Sequence, residues 1–111
     1  MITLATLPEA TEREVFEQVK NHLLTQNKKS KASTGKCVYK NFAGLKCAAG
    51  CLIAHKEYKP EMEGFDWWRL CIKGLAPRTH QDLIEKLQVI HDEYEPINWE
   101  QKLNELETTL N

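Results

Sequence analysis

Apolar positions recur with a helical period in the first quarter of the chain. They share one helical face, and the charged residues between them lie away from it; the set is Val15, Phe16, Val19, Leu23 and Leu24. Upstream, Thr6 and Glu9 have the spacing of a capping box, in which both side chains satisfy backbone amides at a helix start. The pattern predicts a first helix over about residues 8–26, with Asn27 as a left-handed cap.

Three stretches in the second half of the chain show the same pattern. Asp66 is a cap for a short helix, and Thr79 with Asp82 opens a longer one. Pro96 ends the longer helix, and Asn98 starts the last one. The short helix runs through Trp67, Trp68, Leu70, Cys71 and Ile72. The inward stripe expected in the longer helix is Leu83, Ile84, Leu87, Ile90 and Tyr94, and in the last helix apolar residues recur at Trp99, Leu103, Leu106 and Leu110.

The segment between the first helix and these three has a different character. Residues 27–36 are polar and rich in Lys and Ser, which predicts a link after the first helix. Two short β-capable runs then flank residues 41–44, a turn that ends in glycine, and they predict a small β-hairpin near residues 37–48. We therefore expect a mostly α (α+β) fold. It is a single domain over residues 1–111, a compact bundle of four to five helices with this hairpin and no internal repeat.

Charge is distributed unevenly along the chain. The formal net charge is −1, from 15 Lys and Arg and 16 Asp and Glu, which by itself argues against binding to nucleic acid or a membrane surface. Residues 26–60, however, carry eight Lys against one Glu, a net charge of +7. Residues 1–25 have a net charge of −2 and residues 61–111 one of −6. A strongly basic segment is therefore embedded in acidic flanks.

Aromatic residues are interleaved with the lysines of this basic segment. Ammonium groups next to exposed rings suit an anionic partner, either an acidic protein surface or the phosphates and bases of a nucleotide or nucleic acid. Lys predominates over Arg, which weakens the case for bidentate phosphate recognition. The same lysines also suit a solvated face, or ion pairs with the acidic helices of this chain or of a second copy, which leaves a homodimer open. The residues expected to make contact are Lys36, Tyr39, Lys40, Lys46, Trp67 and Trp68.

The four cysteines allow a metal-site interpretation and a plainer one. Cys47, Cys51 and His55 are four residues apart, so on a helix they would share a face, and Cys37 across the hairpin would complete a Cys3His zinc set. Structural zinc sites usually use two tight ligand pairs, and only one is present here. Reduced cysteines packed in the core are the favoured interpretation, because free cysteine behaves as a small hydrophobe. We expect no metal and no cofactor.

Catalytic and targeting motifs are not evident in the sequence. His91 and Asp92 have the order of a phosphohydrolase dyad, but the further ligands of such sites are not at matching spacing. No phosphate-binding loop or nucleophile signature stands out, so we expect a protein that is not an enzyme. The N-terminus does not have the pattern of a secretory signal, and the longest run without polar side chains, residues 47–54, is short of the ~18 residues that span a bilayer. We expect a cytoplasmic protein with no membrane contact.

Five segments carry a family resemblance. Residues 35–40 read Gly-Lys-Cys-Val-Tyr-Lys, residues 44–53 read Gly-Leu-Lys-Cys-Ala-Ala-Gly-Cys-Leu-Ile, and residues 87–92 read Leu-Gln-Val-Ile-His-Asp. Together with residues 58–64 and 99–103, this pattern resembles a group of small proteins of tailed phages and prophages that has no assigned activity. The likeness covers most of the chain after residue 12.

The resemblance implies a phage setting for this chain. The group has Pro-Asp where this chain has Ala54 and His55, which counts against His55 as a shared metal ligand. Small non-structural phage proteins often act by occupying a host protein, including immune effectors. We therefore expect an inhibitor or modulator of a host protein in the host cytoplasm, with an anti-defence or anti-CRISPR-like role. The alternatives are a protein that binds or sequesters a nucleotide signal or nucleic acid, and a small zinc-binding module.

Overall fold

Four α-helices joined by irregular segments make up residues 1–110, the part of the chain that the computed structural model describes. The helices are α1 (Glu12–Gln26), α2 (Trp67–Ile72), α3 (Gln81–Glu93) and α4 (Pro96–Glu107). Three short 3₁₀ helices accompany them at Leu7–Glu9, Ala49–Leu52 and Pro60–Met62. Helix α3 packs against all three other α-helices, and α1 also packs against α4. The expectation of a mostly helical, compact protein is confirmed.

A hydrophobic core joins the four helices. In α1, four of the five residues predicted from helical spacing are fully buried, namely Val15, Phe16, Val19 and Leu23. The other helices contribute Trp67, Leu70, Leu83, Ile84, Leu87, Ile90, Trp99 and Leu103. Burying an aliphatic or aromatic side chain of this size stabilises the folded state by roughly 1.5–3 kcal/mol. Periodicity in the sequence therefore correctly identified the inward face of each long helix.

Helix α1 begins later than the sequence predicted. Its N-cap is Thr11, whose hydroxyl accepts a hydrogen bond from Glu14 N at 3.1 Å, while the Glu14 carboxylate accepts one from Thr11 N at 2.8 Å. The capping box predicted at Thr6 and Glu9 is wrong, because Ala10 is extended (φ −85°, ψ 148°) and interrupts the helical backbone. The chain contains two Thr-x-x-Glu spacings in succession, and the second one starts the α-helix.

The starts of α3 and α4 also differ from prediction. The residue before α3 is His80, in a left-handed conformation (φ 57°) with no side-chain cap, so Thr79 and Asp82 do not form the predicted start. Pro96 is the first residue of α4, where its missing N–H is not needed, and the predicted start at Asn98 lies inside that helix. By contrast, the Asp66 cap of α2 is confirmed by its hydrogen bond from the backbone amide three residues later.

The predicted β-hairpin near residues 37–48 is wrong. No strand forms within residues 1–110; two isolated antiparallel bridges occur instead, Lys31 with Cys37 and Lys40 with Lys46. Each bridge closes a separate tight turn, and the first turn lies largely in the predicted polar link at residues 27–36. The β-capable runs are short, and a two-stranded hairpin is marginal by itself, so side-chain hydrogen bonds hold this segment in place of a ladder.

The N-cap of α1 gives the first prediction. Replacing Thr11→Ala removes the hydroxyl acceptor for Glu14 N, and we expect the free energy of unfolding in urea to fall by about 1 kcal/mol. Thr25→Ala is the matched control, because Thr25 is exposed within the same helix, and it should change stability by less than ~0.5 kcal/mol. Equal losses in the two variants would show that Thr11 is not the cap.

Candidate functional site

Two adjacent turns repeat the same backbone hydrogen bonding with an offset of nine residues. We call residues 31–37 and 40–46 the paired turns. The repeated bonds are Ala32 N to Lys36 O, Gly35 N to Ala32 O, Asn41 N to Leu45 O and Gly44 N to Asn41 O, at 2.8–3.0 Å. Both glycines have positive φ, 90° and 83°. No repeat was predicted, because the two seven-residue segments share only a lysine and a glycine at matching positions.

Side-chain hydrogen bonds fix the paired turns to each other and to α1. Asn41 Oδ1 accepts from Leu45 N at 2.9 Å, and its amide nitrogen donates to Lys31 O at 3.1 Å. Ser30, which is fully buried, donates from its hydroxyl to Leu45 O at 2.9 Å. From the last turn of α1, Gln26 exchanges two hydrogen bonds with the backbone of the second turn. The tips of the turns are therefore presented on a well-anchored base.

Glu63 joins the paired turns to the segment that precedes α2. Its carboxylate oxygens accept hydrogen bonds from Tyr39 N at 2.9 Å and from Lys40 N at 3.2 Å. The Tyr58 hydroxyl donates to the same carboxylate at 2.7 Å, and burial together with Glu63 raises the pKa of Tyr58 to about 12. On the other side, the Tyr39 hydroxyl donates to Phe65 O at 2.7 Å. Glu63 is thus a clamp between two irregular segments.

Most lysines of the basic segment lack a carboxylate partner. Within residues 1–110, Lys29 is the only one of the eight that forms an ion pair, with its Nζ 3.0 Å from Glu95 Oε2. Lys40 donates to His55 Nδ1 at 3.1 Å, and Lys46 donates to a backbone carbonyl. The exposed members are Lys28, Lys31, Lys36, Lys56 and Lys59. The acidic helices of this chain therefore neutralise little of the basic segment.

The exposed aromatic residues differ from those predicted to make contact. Tyr39 and Trp67 are 4% and 1% exposed, so they pack edge to face in the core and are not part of the exposed surface of the paired turns. Trp68 is 48% exposed on α2. Phe42 is 86% exposed, at the tip of the second of the paired turns. Its position inside a short turn ending in glycine was the signal for exposure, because turn tips lie at protein surfaces.

The predicted zinc set of Cys37, Cys47, Cys51 and His55 does not assemble. Residues 49–52 form a 3₁₀ helix, in which side chains four residues apart do not share a face. Cys47 Sγ accepts from a backbone amide, Cys51 Sγ donates to a backbone carbonyl at 3.1 Å, and His55 is exposed and bonded to a lysine. All four cysteines are free.

A different cluster, Cys37 with His91 and Asp92, brings three ligand-type atoms within 4.8 Å of one another. His91 Nε2 accepts from Ser30 N at 2.9 Å, so its proton is on Nδ1, which donates to Asp92 Oδ1 at 2.6 Å. If a metal took the place of the proton on Nδ1, the neutral ring would carry its proton on Nε2 instead. That proton would then face the N–H of Ser30, which now donates to Nε2. Neutral imidazole has one free lone pair, and here the backbone uses it. The donor set therefore fits a buried hydrogen-bond network and not a metal ion.

The thiols of the chain are held in their protonated form. Burial and the neighbouring Asp92 carboxylate raise the pKa of Cys37 to about 11, and burial raises that of Cys51 to about 12. Burial also raises the pKa values of Cys47 and Cys71. Because the thiolate is the nucleophile and the metal ligand, these environments do not activate any of the four residues.

Loss of the Glu63 clamp gives the second prediction. Glu63→Gln places an amide N–H₂ where a carboxylate oxygen now accepts, and we expect a loss of about 1–3 kcal/mol in the free energy of unfolding. Glu61→Gln, at an exposed neighbouring position, is the control and should be close to neutral. Urea unfolding of both variants is the measurement. Unchanged stability of Glu63→Gln would rule out the clamp.

The third prediction concerns Cys37. Its rate of alkylation by iodoacetamide, followed by peptide mass spectrometry, should be low at neutral pH and rise as the pH approaches about 11. Asp92→Asn removes a carboxylate that disfavours the thiolate, so it should lower the pKa of Cys37 and speed alkylation at neutral pH. Asp82→Asn, exposed at the start of the same helix, should leave the rate unchanged. Fast alkylation of the parent at neutral pH would contradict this account.

Comparison of the chain with protein-family models, curated proteins and solved structures gives no match. The resemblance to the phage group therefore stays a prediction. Within residues 1–110, no helix combines the length and the apolar character needed to cross a membrane. The cytoplasmic location also stays a prediction.

Proposed function

We propose that the chain is a binding protein whose paired turns dock on an acidic surface of a partner protein. As the phage resemblance implies, the partner is a host protein in the host cytoplasm, and occupying it inhibits or modulates it in an anti-defence role. The main support for the proposal is that most lysines of the basic segment have no carboxylate partner in the folded chain. Seven of the eight lysines in residues 26–60 have no carboxylate partner within the described chain, and the same segment exposes Phe42, whose side chain is 86% exposed.

Phe42 is the expected anchor of this interface. Burying a phenylalanine ring contributes roughly 1.5–3 kcal/mol, and aromatic anchors carry much of the energy of protein interfaces. The hydrogen bonds of Asn41 hold the turn in one conformation before binding, which lowers the entropy lost on docking. The surrounding lysines form a basic rim that steers an acidic partner toward the turns and raises the association rate.

The same features favour a protein partner over a nucleic acid. Single-stranded nucleic acids bind to rows of aromatic side chains on which successive bases stack, and the paired turns expose one ring. The cations of the segment are all lysines, which do not provide the planar bidentate contacts that arginine makes with phosphate and guanine. The protonated thiols and the fully engaged His91 support a binding role over a catalytic or zinc-binding one.

The fourth prediction concerns capture of the partner from host lysate by the parent protein and by variants of the paired turns. Phe42→Ala should weaken binding of the recovered partner by about tenfold or more, since a tenfold change corresponds to ~1.4 kcal/mol. Lys28→Glu with Lys31→Glu should slow association, and the parent affinity should fall as salt is raised.

The matched controls are Ile97→Ala, which removes a side chain 88% exposed on α4, and Lys86→Glu, which reverses an exposed charge on α3. Both should bind like the parent. If Phe42→Ala and Ile97→Ala bind equally well, or if nuclease treatment abolishes capture, docking of the paired turns on an acidic protein surface is ruled out.

A further inference from the structure

A cleft of about 520 Å³ opens beside the paired turns, between residues 36–39, residues 63–67 and one face of α3. We call it the acidic cleft, because its walls carry five carboxylates and one lysine. These charged residues are Glu63, Asp66, Glu85, Asp92, Glu93 and Lys36. The negative charge of the cleft is opposite in sign to that of the exposed lysines on the neighbouring turns. It is therefore a second surface of the molecule, which meets the paired turns at Lys36 and Cys37.

The carboxylates of the acidic cleft fall into two groups. Three of them have structural roles. Glu63 is the clamp, Asp66 caps α2, and Asp92 accepts from His91 Nδ1. Glu85 and Glu93, both on α3, form no ion pair within residues 1–110. Two negative charges on one wall are thus free to bind a cation.

Trp67, which also lines the cleft, carries an unpaired hydrogen-bond donor. Trp67 is 1% exposed, and its indole Nε1 is the buried side-chain nitrogen or oxygen without a hydrogen-bond partner in the described chain. In contrast, Trp99 Nε1 donates to Tyr94 O at 2.9 Å. Buried indole N–H groups usually find a partner, and leaving one unpaired costs about 1–3 kcal/mol. A ligand that brings an acceptor to this indole would recover that energy.

Apolar side chains also line the cleft. Val38, Phe65 and Val89 border the cleft, and Val89 is 51% exposed. The ligand must therefore combine a cation, an aliphatic stem and a hydrogen-bond acceptor. A lysine or arginine residue within a peptide has all three, since its backbone carbonyl is the acceptor. A polyamine has no such acceptor, and a bare metal ion has no stem.

We propose that the acidic cleft binds a basic peptide segment. Two basic residues of the peptide pair with Glu85 and Glu93, which lie about 12 Å apart along α3. Their stems lie along the apolar side chains of the cleft, and a peptide carbonyl accepts from Trp67 Nε1. This site does not involve Phe42 and takes a ligand of the opposite charge. Failure of either proposal therefore leaves the other intact.

The fifth prediction uses the indole N–H as a reporter. In ¹⁵N–¹H spectra of the whole protein, the three tryptophans give three indole signals, and Trp67→Phe identifies the one from Trp67. A capped Ala-Lys-Arg-Ala peptide should shift that signal in a saturable and salt-sensitive way. Capped Ala-Glu-Glu-Ala and putrescine, a cation without an acceptor, should not.

Charge variants complete the test without touching the core. Glu85→Gln with Glu93→Gln should weaken peptide binding by about tenfold, because each exposed ion pair contributes up to ~1 kcal/mol. Glu9→Gln with Glu100→Gln removes two exposed carboxylates outside the cleft and should bind like the parent.

Three results would overturn the proposal: an unmoved Trp67 signal at saturating peptide, an equal shift with the acidic peptide or putrescine, or unchanged affinity in Glu85→Gln with Glu93→Gln. The charge variants retain this power even if Trp67→Phe fails to fold, because those two side chains are not buried.

Discussion

The structure depends on one constraint, which is that the irregular backbone between α1 and α2 must find hydrogen-bond partners without a β-ladder. Buried N–H and C=O groups that lack a partner are costly, and this segment obtains its partners from polar side chains. Glu63 accepts from the amides of Tyr39 and Lys40, and Gln88 on α3 accepts from Ala49 N at 2.8 Å. His91 accepts from Ser30 N. Helices and irregular segments are thus joined by side chain to backbone bonds.

This constraint also explains the charge of the surface. The only acidic residue among residues 26–60 is Glu57, and its carboxylate accepts from the amides of Leu4, Ala5 and Ala54. Burial alone would raise the pKa of Glu57, but these hydrogen bonds outweigh it and lower the pKa. A carboxylate held in this way is not paired with a lysine ammonium. Because Glu57 and Glu63 bind backbone amides in the fold, neither forms an ion pair with a lysine of this segment.

The sequence correctly predicted the features that depend on neighbouring residues alone, namely a buried helix face and two helix caps. Spacing identified the buried face of α1, and the left-handed Asn27 and the Asp66 cap followed from residue type. It did not predict that Tyr39 and Trp67 are buried, because that depends on packing between distant segments.

The candidate site was predicted only in outline. The basic segment was visible in the sequence, whereas the acidic cleft was not, since its walls come from three separate parts of the chain. Likewise, the order His91-Asp92 and the spacing of Cys47 and Cys51 allowed a catalytic or a metal-site interpretation, neither of which the sequence favoured. In the structure His91, Cys47 and Cys51 each bond to a backbone group, and the Asp92 carboxylate accepts from His91, through contacts that no spacing reveals.

Trp67 is informative because its surroundings are otherwise so well satisfied. Next to it, the hydroxyl of Tyr39 donates to Phe65 O, and the Glu63 carboxylate accepts from the backbone amides of Tyr39 and Lys40. The fold supplies hydrogen-bond partners to the irregular backbone near this indole. The indole N–H itself has no partner. Trp67 lines the same cleft as Glu85 and Glu93, which form no ion pair within residues 1–110. The indole lacks an acceptor and the two carboxylates lack a cation, and a basic peptide carries both groups.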